Sequence, residues 1–196
     1  MENYSVDSVN LEEIRKFHDK EIAASRWSNP IPDLSPGMKV SPMFIIWQHQ
    51  KPQVITDHVG SGLNNGIPKA DAKVSYDDMH LSGQIMWNEW CSFPSWKIVT
   101  FESDVAFAFL NLPAHPIWQL CQIVTVDSKL FIVWQLVFGN RASPCIWCAV
   151  SGLLCWIAIH KFDICTLNVD MDNFFGVNFA DNLVFFHGKL HLHHQV

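Results

Sequence analysis

The chain has 196 residues, 49% of them hydrophobic and 16% charged, and a net charge of −6. This is long and apolar enough for a folded domain with a real core, and it excludes a disordered chain. The acidic balance also runs against a phosphate-binding surface, whose affinity comes largely from Lys and Arg contacts.

The opening residues, MENYSVDSVN, have neither a basic start nor an apolar stretch, so they do not read as a secretory signal. Six cysteines in such a chain point to reduced thiols, and hence to a cytoplasmic or nuclear protein rather than a secreted one. Asn10 is a candidate helix cap with Glu13 in the capping-box position, and Leu11, Ile14, Phe17 and Ile22 form one helical stripe. Pro30, Pro32 and Pro36 mark a loop. MFIIWQHQ (43–50) reads as a strand, Lys51-Pro52 as its break, QVITDHV (53–59) as its resumption and SGLNNG (61–66) as a turn. Between 67 and 90, helical character concentrates in YDDMHLSGQIMWNEW.

WKIVTFESD (96–104) is a β-rich run ending on an acid, and VAFAFLNL (105–112) has helical character stopped by Pro113 and Pro116. QLCQIVTV and KLFIVWQLVFG flank Asp127-Ser128 as a hairpin, and NRASP (140–144) is a loop. PCIWCAVSGLLCWIAI (144–159) is shorter than the roughly 20 residues that span a bilayer and reads as a buried core helix, with no membrane role. Cys145 and Cys148 form a lone CxxC without a second ligand pair, which fits packing better than zinc. FDICTLNV (162–169) is a strand, Asp170 to Asn173 a turn and FFGVNF the return strand. DNLVFFHGKL (181–190) predicts a last helix, and the histidines of 191–194 a solvated tail.

Asp104 at a strand end and Asp172 at a hairpin tip can meet on adjacent strands. Two carboxylates converging on divalent cations are the core of two-metal nucleotidyl transfer, where one metal activates the attacking hydroxyl and the other stabilises the leaving phosphate. Taken singly, each residue has a plainer reading. Asp104 could cap a helix, Phe109 could be core, Gly139 a turn and Asp172 a solvated acid.

Four segments in order resemble the reverse transcriptases of retrotransposons over about residues 43–190. Ser103-Asp104-Val105-Ala106-Phe107-Ala108-Phe109 resembles the family's first metal motif. Leu136 to Pro144 resembles its FG-xxx-SP loop–helix, Asp170-Met171-Asp172-Asn173 its aromatic-x-Asp-Asp turn, and Lys51 to Asn64 its fingers segment. The resemblance implies an α+β fold: the fingers and palm of a right-hand polymerase, with an antiparallel palm sheet backed by helices and the thumb absent. Its segments would be an N-terminal helix and Pro-rich loop (1–42), fingers (43–95), palm with the first metal motif (96–113), a fingers/palm hairpin (114–142) and palm (143–196), truncated before the thumb.

By position, Asp104, Asp172 and the Val105 backbone would hold Mg²⁺ or Mn²⁺, with Asn173 at the second acid of the turn. Phe109 would lie under the sugar and select deoxynucleotides, Lys51 and Gln53 would approach the nucleotide, and Gly139 and Arg141 would brace nucleotide or template. The implied partners are an RNA or DNA template–primer and dNTPs. The chain departs from the pattern on the chemistry itself. Asp170 replaces an aromatic, Asn173 replaces an acid, and Gln53 replaces a basic residue. An amide cannot match a carboxylate as a cation ligand, so the implied activity is weak or lost. The alternative is a remnant that binds nucleic acid or protein without catalysis.

Three arginines stand beside nine tryptophans, ten histidines, eight glutamines and six cysteines. Arginine CGN codons reach Trp, Cys, Gln and His by single transitions, as Asp reaches Asn. The imbalance therefore reads as cytosine-deamination damage to a mobile-element copy, although Asp170 does not fit that route.

Overall fold

The structure, a computed structural model, describes residues 7–74, 79–162, 164 and 166–179. It divides into two compact units interleaved along the chain: Met1–Lys73 with Phe109–Cys145, and Val74–Ala108 with Ile146–Val196.

In the first unit, helix α1 (Ser8–Ala23) starts one turn earlier than the sequence predicts. Its cap is Asp7, whose carboxylate accepts the Asn10 N–H at 2.8 Å, so Asn10 lies inside the helix. Glu13 forms no capping box; it pairs with Lys16 instead. Strands β1 (Met43–Gln48) and β2 (Lys51–Thr56) form an antiparallel hairpin. The predicted break at Lys51-Pro52 is displaced to His49-Gln50, both at positive φ, as a tight two-residue hairpin turn requires. Pro52 is tolerated because the sheet has two strands and offers Pro an edge. The turn cluster closes in a 3₁₀ segment, Leu63–Gly66.

The predicted helix over 105–112 reduces to a 3₁₀ turn at Phe109–Asn111, because Phe107 sits at φ 58°, outside helical space. A single turn of helix, α3 (Pro116–Gln119), follows. β4 (Ile123–Val126) and β5 (Lys129–Ile132) make the predicted hairpin around Asp127-Ser128, both again at positive φ. The strand after the turn ends at Ile132 and does not run on to Gly139. One core gathers Ile14, Trp27, Met43, Val124, Phe131 and Val133. Glu21 and Arg26 form a bidentate pair at 2.7 and 2.9 Å with side chains only 2% and 17% exposed, and Arg15 grips Asp127 on the surface. His58 is fully buried and neither ring nitrogen has a hydrogen-bond partner. Burial therefore lowers its pKa from 6.5 to about 4, against the raising charge of Asp57.

In the second unit, α2 (Met79–Ser92) occupies most of the predicted helical stretch. β3 (Ile98–Asp104), β6 (Leu167–Asp170) and β7 (Asn173–Phe179) form an antiparallel sheet in the order β3-β7-β6. β6 begins at Leu167, and α4 (Ala142–Phe162), which starts in the first unit, takes Phe162 from the start of the predicted strand. α4 is not the buried core helix its composition implies. Trp147, Ser151 and Cys155 form its buried stripe, while Leu153 and Leu154 are 56% and 43% exposed and Trp156 49%. By length and composition α4 could cross a membrane, and 22% of its most apolar stretch is buried. Cys145, in the first unit, points its thiol at the Asp71 carbonyl, and Cys148 lies against Met171. The predicted helix at 181–190 and the histidine tail lie outside the described residues.

Candidate functional site

The β3-β7-β6 register places the catalytic candidates at one end of the sheet. Asp104 pairs with Asn173, and Asn173 pairs with Asp170, so the three share one cross-strand row. Met171 and Asp172 form the turn, with Met171 at φ 56°. Three contacts fix this turn. The Val105 N–H donates to the Asp172 carbonyl at 2.9 Å, the Trp147 indole N–H donates to the Met171 carbonyl at 2.8 Å, and Cys148 packs on the Met171 thioether. Gly176 is required behind the turn, since a Cβ there would lie 1.9 Å from the Thr166 carbonyl oxygen.

The electrostatics are those of crowded acids. Partial burial raises the Asp172 pKa, and the charges of Asp104 and Asp170 raise it further, against a backbone hydrogen bond that lowers it. Asn173 stands between Asp104 and Asp170 in this row. Its amide N–H donates to Glu102 at 2.7 Å, while its oxygen is buried without a partner. Among the described residues no cluster of three or more His, Cys, Asp or Glu is arranged to hold a metal ion. Asp104, Asp170 and Asp172 are the carboxylates that this end of the sheet offers to Mg²⁺ or Mn²⁺, hard cations that take oxygen ligands, and the position between Asp104 and Asp170 carries an amide bonded to Glu102.

The other predicted residues belong to the first unit. Lys51 opens β2 opposite Gln48, and Gln53 pairs with Ile46. Phe109 is buried, its ring edge-on to Phe138 at 4.8 Å. Gly139 has φ +101°, and a Cβ there would lie 1.9 Å from the Thr56 carbonyl oxygen, so the close approach that needs glycine is to the chain's own backbone. Arg141 donates from its guanidinium to the Ile67 carbonyl at 2.7 Å. Sequence reasoning missed the amides that hold this loop. Asn64 accepts the Arg141 N–H and donates to the Gly139 carbonyl, and Asn140 accepts the Ala142 N–H and donates to Gln122. It also missed Glu102, which strand alternation alone places on the face of Asp104.

No family model matches the sequence, and no curated protein matches it significantly. Solved structures do. The foamy viral protease-reverse transcriptase dRH in complex with ds DNA superimposes at a TM-score of 0.62 and 13% identity, covering 89% of this chain and 27% of that one. The fold is reverse-transcriptase-like. The native prototype foamy virus protease-reverse transcriptase agrees, at a TM-score of 0.60 and 16% identity, over 89% of this chain and 21% of that one. The reverse-transcriptase-like chain therefore spans about a quarter of the length of these neighbours. At such identities the likeness concerns the α+β fold with its small antiparallel sheets, not the chemistry.

Proposed function

We propose that the chain is a fingers-and-palm segment related to retroelement reverse transcriptases, whose active-site turn keeps its position and has lost most of its metal-binding chemistry. One observation carries the reading. The first metal motif and the catalytic hairpin, far apart in sequence, meet in register as Asp104–Asn173–Asp170 with Asp172 at the tip. The solved neighbour bound to double-stranded DNA supports nucleic acid as the partner class. The net charge of −6 sets a low ceiling on that affinity. On this reading Asp104 and Asp172 contribute a weak cation site within the second unit, and turnover is slow or nil.

The test is binding of a dNTP to the full chain with and without Mn²⁺, measured by calorimetry. Weak binding that needs Mn²⁺ and disappears in Asp104→Ala is the expected result. Binding indifferent to Mn²⁺ and to that substitution would leave only an interaction module on a polymerase-like fold. The double variant Asp170→Tyr, Asn173→Asp is expected to strengthen Mn²⁺ dependence, because it returns a ring and a carboxylate to the turn.

A further inference from the structure

A cleft of about 330 Å³ opens in the second unit between α2 and the three-stranded sheet. That size lies at the lower end of the range for small-molecule sites, roughly 300–1,000 Å³. Its walls combine Ile85 and Met86 from α2 with Phe175 and Val177 from the sheet, beside Thr100 and Asn168. Glu102 also lines it. Strand alternation sets Glu102 on the face of Asp104, and the register continues across Asn173 to Asp170. The apolar cleft therefore ends in a row of carboxylates, and the 2.7 Å bond from the Asn173 amide orients the nearest of them.

We infer that this cleft binds an organic cation: a compact apolar or aromatic body between α2 and the sheet, with its ammonium group on the Glu102 carboxylate. Charge complementarity selects this occupant. A phosphate or carboxylate ligand would be repelled by Glu102, Asp104 and Asp170. A neutral apolar ligand would gain the walls and forgo the carboxylate. Glu102 is exposed, so the ion pair forms at the open rim of the cleft and adds a modest, screened attraction to the contact with the walls. The site needs no metal and no nucleotide, so it stands or falls separately from the polymerase reading.

Three probes with the same naphthylmethyl body test it on the full chain by calorimetry: 1-naphthylmethylammonium, 1-naphthylmethanol and the carboxylate 1-naphthaleneacetate. The expected order is ammonium, then alcohol, then carboxylate, with about two- to five-fold between the first two, the scale of an exposed ion pair. Glu102→Gln is expected to bring the ammonium down to the alcohol's affinity and leave the alcohol unchanged. Gly83 also lines the cleft, and a Cβ there would meet nothing within 4 Å. Gly83→Leu should therefore fold normally, gain helix propensity and abolish binding of every probe. Equal binding of ammonium and alcohol, binding that survives Gly83→Leu, or no binding of any probe would each overturn the proposal.

Discussion

The two units differ in how they use apolar residues. The first buries Trp27, Met43, Ile123, Val124, Phe131 and Val133 around α1 and two hairpins. Among the described residues of the second, the buried apolar side chains are Ala108, Trp147, Cys155 and Val177, while Trp87, Trp90, Trp96, Leu153, Leu154 and Trp156 face outward. All three arginines of the chain lie in the first unit. Each is bonded there: Arg15 to Asp127, Arg26 to Glu21, and Arg141 to the Ile67 carbonyl. The comparison teaches that apolar content and apolar burial are separable. The unit with the better-packed core contributes loop and strand residues, and the unit holding the acidic turn has the thinner core.

The largest expected effect tests that contrast directly. Trp27→Ala should cost about 3–5 kcal/mol in urea unfolding, the scale of removing a buried aromatic, whereas Trp156→Ala, half exposed, should cost under about 0.5 kcal/mol. Equal costs would end the distinction between a packed and an open unit. Next come the ion pairs. Glu21→Ala removes the buried carboxylate that pairs with the Arg26 guanidinium and should cost about 3–5 kcal/mol. Arg15→Ala, on the surface, should cost no more than about 1 kcal/mol.

Acid gives a third measurement. His58 is held neutral in the fold, with a pKa lowered to about 4. Its contribution is therefore complete above about pH 6.5 and is lost as pH falls from there towards 4, amounting to roughly 3 kcal/mol. His58→Leu should flatten that part of the stability–pH curve; a curve parallel to the parent's would show that another group carries it. The smallest effect on stability concerns α4. Leu153→Lys with Leu154→Lys should change unfolding by only a few tenths of a kcal/mol while reducing self-association by light scattering, because both side chains face outward.

Local turn chemistry was legible in the sequence. Asp127-Ser128 reverses the chain where the flanking β-branched residues say it should. The 170–173 hairpin also forms at the predicted place, because apolar runs on both sides demand pairing. What escaped was set by tertiary partners. His49-Gln50 rather than Lys51-Pro52 turns the first hairpin, since an isolated two-stranded sheet lets Pro52 sit at an edge. Phe107 leaves helical space, which composition alone does not report. α4 looked like core because it is apolar, yet apolarity says nothing about how many neighbours a helix finds. At the candidate site the acidic row followed from motif spacing. The Glu102–Asn173 hydrogen bond and the amide brace of Asn64, Asn140 and Gln122 did not, because they depend on side chains meeting across distant segments.

The order β3-β7-β6 also sets a timetable for synthesis. β7 is the central strand, and among the described residues β3 pairs only with β7, which begins some 70 residues after β3 ends. At roughly 5–20 residues per second, β3 leaves the ribosome several seconds before its partner exists. Through that interval its backbone donors and acceptors are an open template for another chain. The β1–β2 and β4–β5 hairpins of the first unit are spared that delay, because each pairs neighbours joined by a two-residue turn.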